Sequence, residues 1–281
     1  MHATTEAPPK AERWPWTTED VWPRGSILLV YLLLGLVAGT ASSLLGIGSG
    51  VLIVPVLSGF LLVPLRRAIG VSIVTVFSIV VVGVASEALL KENIRWLLAL
   101  ILAIGAQVGV WIGAKVGPKI PERVLRYTFI LVLLFTAAKM ANLVPGGQSF
   151  GLVRHGGWFS PWTFLVLLLG VLAGALSVLL GIGGGVVVVP GLLFLVEGLG
   201  FRAARATSLA MILPTALTGT FVHIRQKNVL WRSVIPLVIP GFIGAVSGVI
   251  LANVVAPVYL RQIIFPIFLC ILVARLGMRR T

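Results

Sequence analysis

The sequence predicts an all-α polytopic membrane protein of two inverted-topology repeats. Each repeat is a glycine-broken helical hairpin, re-entrant or U-shaped, followed by three spanning helices. Three observations carry this. The 281-residue chain is 58% hydrophobic and 11% charged, with a mean hydropathy of +1.10, more apolar surface than a soluble domain of that length needs. The stretch LLGIGSGVLIVP from Leu44 to Pro55 returns as LLGIGGGVVVVP from Leu179 to Pro190, an offset of 135 residues. Finally, Lys and Arg stand between the apolar runs and favour one side of them.

Residues 1–25 are polar, with Trp14, Trp16 and Trp22 among mixed charges. They lack the basic start and apolar run of a secretory signal and read as a cytoplasmic tail. Apolar stretches follow over 27–45, 47–63, 68–90, 94–116 and 122–142, then over 160–180, 182–199, 205–223, 229–252 and 258–278. A membrane span takes about 20 residues, and the apolar character here is continuous, not amphipathic. The longest polar interruption, 145–157, separates two membrane domains, 26–144 and 160–281, through an extracytoplasmic linker at 145–159.

The duplication reaches beyond the glycine motif. Asn93-Ile94-Arg95-Trp96 answers Asn228-Val229-Leu230-Trp231, and Gly109 and Gly113 answer Gly244 and Gly248. A one-residue slip aligns Arg66 and Gly70-Val71-Ser72 with Arg202 and Ala206-Thr207-Ser208. Each half opens with a hairpin that returns to its starting side, whether it spans twice or only dips in. Three more spans make the crossings odd, so the second half must be inverted. The loop charges agree: of 22 Lys and Arg residues, fifteen fall on the side of the termini and seven opposite. The positive-inside rule then places both termini in the cytoplasm of a plasma (inner) membrane protein.

Several function classes recede. The net charge of +14 is spread between apolar runs instead of forming a patch with aromatic platforms, so it orients a membrane protein and does not mark a nucleic-acid binder. Cys270 is alone, His2, His155 and His223 are scattered, and no metal, haem or other cofactor is expected. Glycine-flanked Ser49 lacks the Gly-x-Ser pattern of a nucleophile elbow, so no enzyme is read here.

The candidate site residues follow from the breaks. Glycine at 46, 48 and 50 (Gly46, Gly48, Gly50), and at 181, 183, 184 and 185 (Gly181, Gly183, Gly184, Gly185), frees backbone groups at membrane depth, which is tolerated where the break is buried in protein or lines a cavity. The N-terminus of a half-helix there binds an anion through N–H groups and its dipole, with no charged side chain. Ser49 belongs to the first run and faces Gly184 in the alignment. Gly-xxx-Gly helix packing is the alternative reading. Past each hairpin, Ser72, Thr75 and Ser78, and then Thr207, Ser208, Thr215 and Thr218, offer hydroxyl donors to an oxyanion. The alternative is that they bond their own helix carbonyls. Gln107 is the long polar side chain near the centre of its span. The stripe Gly105, Gly109, Gly113, Gly117 is a close-packing surface that would also allow a homodimer. No acidic residue lies near a span centre; Glu87 is the nearest coupling candidate and Glu197 the next. Glu87 otherwise reads as a capping or interfacial residue near Lys91. Dipoles and hydroxyls in a positive body suit an anion.

The doubled motif, with Val71-Ser72 or Thr207-Ser208 and then Asn93 or Asn228 before Trp96 or Trp231, resembles the sulfite exporter TauE/SafE family of permeases from about Gly25 onward. The resemblance implies a transporter, an exporter in type, for sulfite, sulfoacetate or other short sulfonates. It maps the family's glycine-rich hairpins onto Gly46–Gly50 and Gly181–Gly185. Alternating access in the lipid bilayer is the expected mechanism, with an anion channel and a membrane scaffold as the alternatives.

Overall fold

A computed structural model describes residues 22–23, 25–90, 93–121, 161–196 and 198–255, with isolated helical positions at 124, 127, 131, 134, 259 and 267. The N-terminal tail through 21, most of the fifth and tenth apolar stretches, the 145–157 interruption, Glu197 and Cys270 lie outside the described residues.

Among the described residues the structure is all helical, with eight α-helices and no strand. They are α1 (Ser26–Leu45), α2 (Gly50–Gly59), α3 (Leu65–Leu90), α4 (Trp96–Val116), α5 (Pro161–Leu180), α6 (Gly185–Leu195), α7 (Phe201–Arg225) and α8 (Trp231–Val254). Six are long and apolar enough to cross a membrane: α1, α3, α4, α5, α7 and α8. The protein is thus a multi-pass membrane protein.

Length decides the nature of the hairpins. With 10 and 11 residues, α2 and α6 rise about 15 Å at 1.5 Å per residue, half the ~30 Å hydrocarbon core. They are half-helices, each following a 20-residue arm of full spanning length. Glycine ends the long arm in each: Gly46 at φ 71° closes α1 and Gly181 at φ 69° follows α5, a left-handed turn that costs other residues about 1–2 kcal/mol.

Three layers emerge. On one side α1 packs on α8, on the other α4 packs on α5, and α3 packs on α7 between them. In the spans of α3 and α7, 72% and 56% of residues are buried, against 39–44% in the other four, so α3 and α7 form the centre. Glycine makes the outer pairs tight. A methyl group at Gly105 or Gly109 of α4 would strike the Leu167 or Val171 carbonyl of α5, and one at Gly170 or Gly174 would strike Leu102 or Ala106. On the other side Gly35 and Gly39 meet Leu237 and Gly241, while Gly244 and Gly248 meet Leu36 and Thr40. The stripe at Gly105, Gly109 and Gly113 is therefore taken up within the chain, which removes the packing surface that would have allowed a dimer through it. Large apolar residues such as Leu33, Ile104, Trp111 and Ile243 stay exposed on the outer layers, as lipid requires.

The contacts also fix helix direction. Gly35 and Gly39 of α1 meet positions of rising number in α8, so these two run parallel; α4 and α5 do the same. The central pair is antiparallel: Glu87 near the end of α3 pairs with Arg205 near the start of α7, while Arg66 and His223, from the opposite ends, line one cavity.

Candidate functional site

The hairpin tips cross at the heart of the molecule. A methyl group at Gly50 would overlap the Gly181 carbonyl, one at Gly48 the Ile182 carbonyl, and one at Gly185 the Gly46 carbonyl. Backbone lies on backbone, and that approach is what the glycines permit. Gly48, Gly183 and Gly184 hold φ of 81°, 82° and 83°. The two tips differ at one place: Ser49 is right-handed (φ −65°, ψ −17°) where Gly184 is left-handed (φ 83°, ψ −14°). Ser49 is buried and its hydroxyl has no protein partner.

The hydroxyls divide into two kinds. Ser72 Oγ of α3 donates to the Gly181 carbonyl at 2.7 Å, and Ser208 Oγ of α7 donates to the Gly46 carbonyl at 2.8 Å. Each central helix thus holds the tip of the opposite hairpin. By contrast, Thr75, Ser78, Thr215 and Thr218 donate to carbonyls four residues earlier in their own helices. Thr207 Oγ1 accepts from the Arg95 N–H just before α4. Gln107 Nε2 donates to the Pro214 carbonyl at 3.0 Å, and its Oε1 accepts from Thr218 at 2.8 Å, so it ties α4 to α7 at a proline.

At the two ends of the α3–α7 pair, repeat-equivalent positions are filled differently. On the first face Arg205 Nη2 donates to Glu87 Oε2 at 2.6 Å, and both side chains are fully buried. Arg205 Nη1 donates to the Ser43 carbonyl of α1 at 2.7 Å, three residues before the Gly46 turn. Asn93 Nδ2 donates to Glu87 Oε1 at 2.9 Å and to Asn253 Oδ1 at 3.3 Å; Arg202 Nη2 donates to the Asn253 carbonyl at 2.9 Å. Glu87 is therefore a buried ion-pair member, not an interfacial residue beside Lys91. Arg205, read from sequence as a loop charge, lies inside α7, which begins at Phe201 instead of 205.

On the second face, about 27 Å away along α7 at helical rise, stand Ile69 where the slip alignment places Arg205 and His223 where it places Glu87. His223 Nε2 lies 3.1 Å from the Val178 carbonyl, the repeat counterpart of Ser43, and Nδ1 has no protein partner. A cavity of about 40 Å³ opens here, lined by Arg66, Val178, His223, Gln226 and Asn228 among others. That is room for roughly three waters at the one-probe minimum. Exposed Arg66 and Gln226 and buried His223 all border it, so it leads from the surface toward the tip of the second hairpin, at Val178 and Leu179.

Sequence reasoning missed Arg205, Arg202 and Asn253. The signal was present: the slip alignment already pairs Ile69 with Arg205 and, carried fifteen residues further, pairs Glu87 with His223. The charged members of a buried pair are the positions where the copies diverge.

Crossed, glycine-tipped half-helices among the six candidate spans of the described residues are the arrangement of a membrane transporter. The family model described as Sulfite exporter TauE/SafE matches residues 9–140 and 166–281, and the chain belongs to that family of membrane transporters. It is 28% identical over 242 residues to the probable membrane transporter protein YunE of Bacillus subtilis, covering 78% of this chain and 86% of that one. A probable membrane transporter protein of Methanocaldococcus jannaschii is 31% identical over 110 residues, 37% of this chain and 41% of the relative, so that likeness spans less than half of either. No solved structure matches.

Proposed function

We propose that this protein carries small sulfur oxyanions, such as sulfite, sulfoacetate or another short sulfonate, out of the cell by alternating access. Its two domains, 26–144 and 160–281, act as inverted repeats joined by the linker at 145–159, in the plasma membrane with both termini cytoplasmic. The helix directions support the inversion. Repeat counterparts α3 and α7 are antiparallel, while α1 runs with α8 and α4 with α5.

The observation that carries the reading is the reciprocal clamp of Ser72 on Gly181 and Ser208 on Gly46. Two hydroxyls, the first-turn N–H groups of α2 and α6 and their dipoles converge where the tips cross. When the tips part, Gly46, Gly48, Ser49 and Gly50 on one side and Gly181, Gly183, Gly184 and Gly185 on the other present donors to an anion. Ser72 and Ser208 then exchange a carbonyl for an oxyanion. Thr207 and Gln107 hold neighbouring elements around the site, Thr75 lines α3 beside it, and no reaction occurs on the cargo.

The test is uptake of labelled sulfite and sulfoacetate into vesicles holding only this protein. Saturable flux with counterflow is expected. Unsaturable flux with single-channel currents would replace the carrier by a pore, and no flux of any sulfur oxyanion by folded protein would overturn the reading.

A further inference from the structure

The Glu87–Arg205 pair has no clear use as a stabilising element. Taking two charges out of water costs several kcal/mol per ion, and apolar residues of like size serve a core as well or better. Ionisable groups inside a membrane protein mark ion pathways and their counter-ions. The surroundings of the Glu87 carboxylate are those of a bound oxyanion: a guanidinium at 2.6 Å on one oxygen and an amide N–H at 2.9 Å on the other. The guanidinium is anchored separately, by the Ser43 carbonyl at 2.7 Å and by packing on Gly46. It therefore keeps its place at the hairpin if the carboxylate leaves. Its Nε is buried without a protein partner, a further donor for a ligand.

The second face shows the same scaffold without the pair. Ile69 and His223 occupy the equivalent positions and the cavity stands open between Arg66, Gln226 and His223. Ala114 lines that cavity, whereas its counterpart Val249, one turn before Asn253, is fully buried.

We infer that Arg205 is an anion-binding residue of the transport path and that Glu87 is a tethered carboxylate filling its site while the first face is closed. A small oxyanion arriving at that face competes with Glu87 for the guanidinium, and release of Glu87, Asn93 and Asn253 opens the face as the cavity at His223 closes. The inference rests on the alternating-access reading above and adds to it a residue, a competitor and an order of events.

The test labels single cysteines with a maleimide, Ala114→Cys or Val249→Cys in a Cys270→Ala background, in vesicles. In the parent, Ala114→Cys labels and Val249→Cys does not. Adding Glu87→Gln is expected to raise Val249→Cys labelling about tenfold and to lower Ala114→Cys labelling. Sulfoacetate should then protect Val249→Cys. The neutral double variant Glu87→Gln/Arg205→Gln, which leaves no unpaired buried charge, should keep the raised labelling and lose the protection. Unchanged Val249→Cys labelling, a rise without the fall at Ala114→Cys, or protection that survives in the double variant each overturns the inference. Flux in the wild type combined with any of these refutes this inference alone. Protection by inorganic phosphate but by no sulfur oxyanion would keep Arg205 as the ligand and remove the sulfur-anion reading instead.

Discussion

The two faces of the α3–α7 pair are formed by matching sequence segments, yet one is sealed by charge and the other holds a cavity. At the sealed face Arg205 joins Glu87 and the Ser43 carbonyl; at the open face His223 reaches the equivalent Val178 carbonyl and Ile69 stands where the arginine would. The matching segments share the glycine turns, the serine clamps and the carbonyl acceptor ahead of each turn. They differ at the ion pair, where Ile69 and His223 stand opposite Arg205 and Glu87. Under the proposed alternating access, a symmetric frame has two equivalent ways to close, and unlike residues at matched positions distinguish one closed state from the other.

The largest effect is expected where the faces share a part. Gly48→Leu places a side chain at φ 81° and against the Ile182 carbonyl. Transport should fall below detection, and Gly183→Leu should do the same, with protein still recovered from the membrane. Strain of the left-handed turn alone is about 1–2 kcal/mol, which the long packed arms of the hairpins tolerate; the crossing of the tips does not. Equal flux by either folded variant would break the assignment of the tips as the site.

The next effect separates the faces. Arg205→Met leaves Glu87 buried without a counter-ion, a change that costs about 3–5 kcal/mol where it has been measured for buried pairs. A large drop in the unfolding temperature in detergent is expected. Glu87→Leu/Arg205→Met should restore that temperature, since an apolar pair of similar volume is neutral or stabilising, and should leave transport absent. If the double variant transported normally, the pair would be a packing feature and the asymmetry of the faces would carry no function.

How much of this was legible in the sequence depends on what each feature required. The hairpins, their tips and the order of the spans were readable because broken apolar runs at one offset have few structural meanings. The half-length of α2 and α6 was not, because apolar residues continue past Gly59 and Leu195 and hydropathy does not register where the helix ends. Gly105, Gly109 and Gly113 were read as a packing stripe, but Gly35 and Gly39 opposite Leu237 and Gly241 were overlooked, since a stripe shows its partner only when both helices are placed. Arg205 was assigned to a loop because a lone cation at the edge of an apolar run looks solvated. Only Glu87, 118 residues away, explains its burial. The hydroxyls were named as one set, and their division into Ser72 and Ser208 on the tips, Thr207 and Thr218 bonded to other elements, and Thr75, Ser78 and Thr215 on their own helices needed the fold.

A smaller effect tests the shared clamp. Ser72→Ala and Ser208→Ala each remove one hydrogen bond to a tip carbonyl, about 1 kcal/mol apiece plus the cost of the unpaired carbonyl. Their stability losses should match, read as equal shifts in unfolding temperature, because the clamp is the same at both tips. Unequal losses would show that the neighbouring Ser49 and Gly184 alter how firmly each tip is held.

The smallest effect falls on the open face. His223→Leu removes one contact to the Val178 carbonyl at 3.1 Å, but a cavity adjoins the site and water entering it can take over that carbonyl. The stability loss should therefore stay below about 1 kcal/mol, the net worth of an ordinary hydrogen bond. It should lie far below that of Arg205→Met at the matched end. The measurement is the pair of unfolding temperatures under one set of conditions. A loss at His223 as large as that at Arg205 would mean that the second face is held shut by its imidazole as the first is by its ion pair, and the distinction between a sealed and an open end would fail.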